Sequence, residues 1–312
     1  MLCNDYMTSP GLKGMGKKHC IVVGGDGQLG STLASHLTQT GQYIHSTYFF
    51  NDQDCTGSSF LDLRGDVSNW HIPEPIDVAF LCAAVTSLDQ CRTQPEESRK
   101  INVENTLALA KRISQTGAAL FFPSSNLVFD GLVPFRKATD TVSPRCEYGK
   151  QKGEAEQGLS ELTEKVAIVR FTKIIGPGMA LIQNWIADLR QGKTIHPFSD
   201  MVLSPVSLQF AIEAIIAIMQ RESYGLWQVS AMEDVSYEQM ARYLAQKMGI
   251  SQKLIAPIRV DQSGLRFETV PEHTTLDTTR LKEELGIEPP KTWDVLDDVL
   301  QWNGCHGLVH ER

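Results

Sequence analysis

Residues 24–30 read Gly24-Gly25-Asp26-Gly27-Gln28-Leu29-Gly30, and this turn constrains the chain more than any other segment. A short β-branched run at 20–23 precedes it. After it, apolar residues at 29, 33, 34 and 37 mark one face of a helix, with Gly41 placed as a C′ glycine ends one. Strand, glycine turn and helix together make a dinucleotide cradle. Glycines allow the tight turn and let the backbone approach a pyrophosphate, which rests on the amides and positive dipole end of the helix. Gly24, Gly27 and Gly30 satisfy one glycine spacing, Gly25, Gly27 and Gly30 a second, and Gln28 and Leu29 complete the cofactor-facing set.

The alternation continues. Strands are predicted at 43–49, 59–63, 77–82, 118–122 and 166–171, with helices at 95–116 and 146–162. Such βαβ order predicts an α/β fold: a doubly wound parallel sheet of the Rossmann type. Beyond about residue 175 the rhythm turns helical, at 180–191, 208–221, 236–248, 279–285 and 292–302, with Pro197, Pro205, Pro257 and Pro271 in the joining loops. The expected organisation is a loose leader at 1–18, a dinucleotide-binding domain with the catalytic residues at 19–175, a smaller, mostly helical substrate lobe at 176–303 and a tail at 304–312.

Tyr148-Gly149-Lys150-Gln151-Lys152 places a phenol and an ammonium four residues apart on one helix face. A phenol with a pKa near 10 is a poor acid or base at neutral pH, and a neighbouring cation lowers that value by stabilising phenolate. A hydroxyl from Ser124 or Ser125, after the fifth strand, would hold a substrate oxygen beside it. Tyr243 and Lys247 repeat the spacing, but no serine-bearing strand end precedes them, and they read as part of an amphipathic helix. At the end of the second strand, residues 46–51 offer no acid for a ribose 2′-hydroxyl; the first is Asp52. The hydroxyls of Ser46, Thr47 and Tyr48 could instead donate to a 2′-phosphate, so NADP(H) is favoured over NAD(H).

With 37 acidic against 29 basic residues and a net charge of −8, the chain suits neither a nucleic-acid surface nor a polybasic membrane patch. The longest apolar stretch, around 210–219, is broken by Glu213 and is too short to span a bilayer. Seven scattered cysteines without a CxxC pair read as free thiols, and residues 1–18 lack the apolar core of a secretory signal, so a cytoplasmic location is expected. Cys305, His306 and His310 lie close in sequence but read as an exposed tail, and no metal site is expected.

Taken in order, several segments resemble extended short-chain dehydrogenases, most closely the dTDP-4-dehydrorhamnose reductase group. They are residues 24–30, Leu61-Asp62-Leu63, residues 83–89, Ile101-Asn102-Val103, residues 124–131, residues 148–152, Arg170 with Gly176-Pro177-Gly178, and Leu276-Asp277-Thr278. The resemblance runs from about 19 to 300. It implies hydride delivery from a nicotinamide to a keto carbon of a nucleotide-linked sugar. Tyr148 would protonate the forming alkoxide, Lys152 would bind the nicotinamide ribose and depress the tyrosine pKa, and Ser125 would orient the carbonyl. Asp62 and Leu63 would lie against the adenine, Ala83 and Ala84 against the cofactor ribose, and Thr86, Asn126 and Lys173 on the substrate side.

Two departures stand out. The family's Asp-Tyr after the hydroxyl residue is Asn126-Leu127 here, and its tryptophan after the sixth strand is Lys173. The Asp-Glu pair of sugar-nucleotide dehydratases is likewise missing. The alternatives are an epimerase that retains NAD and a non-catalytic NADP-binding subunit resembling the β subunit of methionine adenosyltransferase. A homo-oligomer is compatible with either.

Overall fold

The structure, a computed structural model, describes residues 16–49 and 57–302. Most of the expected leader, Asn51 and Asp52, and the tail with Cys305, His306 and His310 lie outside the described residues.

Strand β1 (His19–Val23) leads into helix α1 (Gln28–Gln39), whose Leu33 and Leu37 are fully buried against the sheet. Burial of each such leucine stabilises by about 2 kcal/mol. Strands β2 (Tyr43–Tyr48), β3 (Ser58–Phe60) and β4 (Val78–Leu81) follow. Next come α2 (Leu88–Thr93) and α3 (Pro95–Arg99), a π-helical turn at Lys100–Asn105, and α4 (Thr106–Ser114). Strand β5 (Ala119–Ser125), helix α5 (Glu147–Leu162) and strand β6 (Val166–Phe171) complete the first half. The second half comprises β7 (Lys173–Ile175), α6 (Ala180–Arg190), β8 (Val202–Leu203), β9 (Pro205–Ser207), α7 (Leu208–Arg221), β10 (Gly225–Val229), β11 (Val235–Ser236), α8 (Tyr237–Lys247), α9 (Thr279–Leu285) and α10 (Thr292–Trp302).

Among the described residues the main sheet has seven parallel strands in the order β10-β6-β5-β4-β1-β2-β3. Alternate residues of each strand feed the two faces: Val22, Phe80, Phe121 and Val169 pack under α1 and α7, and Ile21, Ala79, Leu120 and Ile168 under α4 and α5. A separate core joins α6, α8 and α10 through Ile186, Leu244 and Leu296. The strand order reverses between β1 and β4, which opens a crevice at their carboxyl ends, where ligands of such sheets bind.

Three expectations are corrected. The helix expected at 95–116 is two helices around a π-helical turn, because Asn102 is drawn inward there to hydrogen-bond other elements. The third strand is Ser58–Phe60 rather than 59–63, since Asp62 and Gly65 turn the chain instead. Strand β10 was not expected: Gly225–Val229 leaves the helical half and pairs with β6, burying Trp227 completely. No described helix is long and apolar enough to cross a membrane.

Candidate active site

The crevice begins at the glycine turn. A Cβ on Gly30 would stand 2.1 Å from the Gly24 carbonyl oxygen, and one on Gly24 only 2.7 Å from the backbone of Ala83. Gly24 also takes φ +87°, where a side chain is strained. The residues therefore bring α1, the turn and the end of β4 into backbone contact. Gly27 caps α1 without a side-chain acceptor, and no acid occupies its first turn. The amides of Gln28, Leu29 and Gly30 lack intrahelical acceptors and offer an anion site. This cradle fits a dinucleotide: Gly24, Gly27 and Gly30 would hold its pyrophosphate, Ala83 and Ala84 would lie beside its ribose, and the group would supply a hydride. The Gln28 side chain donates to the Pro177 carbonyl at 3.1 Å, tying the cradle to the segment after β7.

At the end of β2 the expectation changes. Ser46 and Thr47 are buried, and the Thr47 hydroxyl accepts the Gly24 amide at 3.0 Å. Thr47 thus holds the turn rather than donating outward to a phosphate; of that set, Tyr48 alone keeps appreciable solvent contact. Two charges flank this end: Asp26, which the sequence reading did not place there, and Arg64, which it weighed as a side chain able to reach the region. The Asp26 carboxylate accepts the Phe49 amide at 2.8 Å, and the Arg64 guanidinium lies 4.4 Å over the Phe49 ring. Asp62 holds Arg64 with both oxygens, which keeps its carboxyl below the usual range, while Leu63 is buried beside it.

The sheet's alternation separates the two candidate serines. Ser124 points into a buried cluster and donates to Glu156, which also holds Arg170 in a fork at 3.0 and 2.6 Å. Ser125, at the strand end, accepts the Leu127 amide at 3.2 Å and stands beside the half-buried Asn126. Only Ser125 is left to meet a ligand.

Helix α5 delivers the other two residues. A Cβ on Gly149 would fall 2.1 Å from the Leu127 carbonyl, so glycine lets the helix lie directly against the segment after Ser125. Tyr148 is buried against Cys91 and Cys146, and its hydroxyl makes no hydrogen bond among the described residues. Lys152 Nζ lies 5.8 Å from the Tyr148 ring centroid and 4.2 Å from that of Phe122, and donates to the Pro123 carbonyl at 2.9 Å. Burial pushes the phenol pKa up and the Lys152 ammonium down to about 8. The expected depression of the tyrosine is therefore corrected: desolvation outweighs the nearby cation, and Tyr148 is a neutral acid, the state that a proton donor to an alkoxide requires.

Sequence reasoning missed the supports of this helix. Asn102 accepts the Val85 amide at 2.8 Å, donates back to the Val85 carbonyl at 3.0 Å and donates to Gln151 at 2.8 Å. Gln151 lies between Tyr148 and Lys152 in sequence, so this chain of bonds registers α5 on the loop carrying Ala83 and Ala84. Thr86, further along that loop, is exposed.

A cavity of about 720 Å³ adjoins the helix start, lined by Arg92, Arg259, Arg266 and Phe267 and also by the acids Asp200, Asp261 and Glu272, the first two of which pair with Arg259. Glu268, on the same segment, accepts the Glu147 amide immediately before Tyr148. Arg92 has a buried Nε without a partner, and Arg266 makes no ion pair among the described residues. Tyr243 instead donates to Asp297 at 2.7 Å, with Lys247 on the same carboxylate, far in sequence from any strand-end serine. Among the described residues no cluster of metal-binding side chains occurs.

The model of the RmlD substrate binding domain matches residues 18–303. A dTDP-4-dehydrorhamnose reductase of Aggregatibacter actinomycetemcomitans is 25% identical over 282 residues, covering 86% of this chain and 94% of that protein. The Salmonella typhimurium protein of the same name is 26% identical over 291 residues, covering 88% and 94%. In fold, the chain matches a dTDP-4-dehydrorhamnose reductase from Bacillus anthracis, solved in complex with NADP, with a TM-score of 0.78 at 22% identity, covering 90% of this chain and 98% of that one.

Proposed function

The chain belongs to the RmlD substrate binding domain family, and from that premise we propose that it is an NAD(P)H-dependent reductase of a keto group on a nucleotide-linked sugar. The observation that carries this reading is the arrangement at the end of β5. There Tyr148 keeps its proton, Lys152 stands behind it on the Pro123 carbonyl, and Ser125 is the strand-end hydroxyl not consumed by the core. Ser125 orients the carbonyl, Tyr148 gives its proton to the oxygen as hydride arrives at carbon, and the Lys152 ammonium holds the nicotinamide ribose. Asn126-Leu127 supplies no carboxyl pair for an elimination.

In this reading the nucleoside diphosphate lies in the cavity beside α5, on Arg92 and Arg266, since Arg259 is taken up by Asp200 and Asp261. Guanidiniums match phosphate oxygens in a fork, and Phe267 offers a ring for a base.

NADPH binds more tightly than NADH in this reading, by a modest factor. Arg64 at the end of β2 favours a 2′-phosphate, and Asp26 nearby limits the gain. Titrating both cofactors tests it, with Arg64→Ser expected to erase the preference; tighter NADH binding in the wild-type protein would overturn it. The reaction itself is tested by mixing purified protein, NADPH and a keto-sugar nucleotide. Stoichiometric loss of nicotinamide absorbance supports the reductase. Interconversion of sugars with tightly held NAD and no net absorbance change would establish an epimerase, and cofactor binding without turnover a regulatory subunit.

A further inference from the structure

Lys173 opens β7, two residues beyond Phe171, which is paired in register with Ser125. Three residues after Lys173, Gly176 lies against the Gln28 side chain: a Cβ there would stand 2.5 Å from Gln28 Nε2, which also donates to Pro177. The backbone from 171 to 177 therefore crosses from the catalytic serine to the dinucleotide cradle. Pairing with Pro205 of β9 fixes Lys173 within that crossing. Its side chain is exposed, and its ammonium has no hydrogen bond or ion pair among the described residues.

The anions already expected at the site have other partners. A cofactor pyrophosphate meets the amides that start α1, and the substrate diphosphate meets Arg92 and Arg266 in the cavity beside α5. Lys173 is a further cation without an ion pair among the described residues, and it sits on the strand extension beyond Ser125. We propose that Lys173 selects a nucleotide sugar whose hexose ring carries a carboxylate, and that the ammonium binds this group while Ser125 and Tyr148 address the keto oxygen. This inference rests on the reductase reading for the reaction but not for the binding.

The residue as a whole is exposed, yet protein around its ammonium holds the lysine below its ordinary range, with no acid beside it.

Calorimetric titration of the NADPH-loaded protein with UDP-glucuronic acid, UDP-glucose and UDP separates the possibilities without requiring turnover. A hydrogen bond to a charged group predicts that the uronate binds roughly tenfold to a hundredfold more tightly than the neutral sugar. In Lys173→Met this preference should shrink to about twofold, while UDP and NADPH affinities stay unchanged. Lys173→Arg should keep most of the preference. No uronate preference in the wild-type protein overturns the proposal. A loss of UDP affinity in Lys173→Met would move the lysine to the substrate diphosphate, and a loss of NADPH affinity would move it to the cofactor; either result also overturns it. If the preference is present but no keto-sugar nucleotide is reduced, the reductase reading fails and the binding assignment stands.

Discussion

Lys152 is a cation built into the sheet's end at a cost the folded chain bears whenever its ligands are away. It is 4% exposed, and burial lowers its pKa from 10.5 to about 8, despite the Pro123 carbonyl and the Phe122 ring. At 1.36 kcal/mol per pH unit, that drop corresponds to roughly 3 kcal/mol of destabilisation at neutral pH. Below pH 8 both folded and unfolded states carry the proton and the cost is present in full. Between 8 and 10.5 the folded state releases the proton while the unfolded chain keeps it, so stability rises with pH. From pH 7 to 9 this one group should contribute on the order of 1 kcal/mol, roughly 2 °C in Tm for a chain of this size. Cys20, Cys82 and Tyr148, whose burial raises their pKa values, act in the opposite direction at alkaline pH. They are common to wild type and variant and cancel in the difference. Lys152→Met fills a similar volume without the charge. It should be about 1–2 kcal/mol more stable than wild type at pH 7, after loss of one hydrogen bond of about 1 kcal/mol. The advantage should shrink towards pH 9, while turnover falls at least about a hundredfold. Denaturant titrations of the cofactor-free proteins at pH 7, 8 and 9 measure this. Parallel pH profiles for the two proteins would refute the reasoning.

Tyr148→Phe should lower turnover by roughly 10²-fold or more with cofactor affinity preserved, whereas Tyr243→Phe should leave turnover near wild type; steady-state rates and NADPH titrations of both variants decide it. Gly149→Val should push α5 off the Leu127 carbonyl, seen as a turnover loss together with about 1–3 kcal/mol of destabilisation from overpacking; full activity would mean that the helix does not need its close seat. Glu156→Leu strands the Arg170 guanidinium, only 3% exposed, without its partner, and should cost about 3–5 kcal/mol, or roughly 5–8 °C in Tm. A calorimetric scan showing an unchanged Tm would contradict that.

The features legible in sequence were those with a local cause. The glycine turn announces itself because only glycine tolerates the approach of the Gly24 carbonyl to residue 30. Helices at 208–221, 279–285 and 292–302 follow from apolar periodicity and coincide with α7, α9 and α10. Strand β10 was hidden because five residues, Gly-Leu-Trp-Gln-Val, show no alternation: a strand covered on both faces has no polar side to mark its period. The π-helical turn has no sequence signature, since its bonds are set by where Asn102 must reach. Nothing in the sequence marks Gln151 and Glu156 as buried, and only the tertiary partners Asn102 and Arg170 explain their burial. Thr47 misled for the same reason. A hydroxyl at the end of β2 can face phosphate or turn, and the Gly24 amide claims it.

The two serines at the end of β5 show how the same alternation yields both the scaffold and the chemistry. Successive strand residues face opposite sides, so Ser124 is committed to Glu156 and Arg170, one buried charge pair whose remaining acceptor capacity it satisfies. That pair fixes the middle of α5 against β6, and the Asn102–Gln151 bonds fix its start against the loop after β4. Lys152 lies between these two anchors and Tyr148 one turn before the first, so their positions are set by groups outside the proposed proton transfer. The reactive atoms are correspondingly underemployed in the cofactor-free protein. The Tyr148 hydroxyl has no partner among the described residues, and Lys152 is poorly solvated. Ligand oxygens would provide what both lack. Because the scaffold already holds the geometry, hydrogen bonds made as charge develops on the substrate oxygen can lower the barrier without first reorganising the protein.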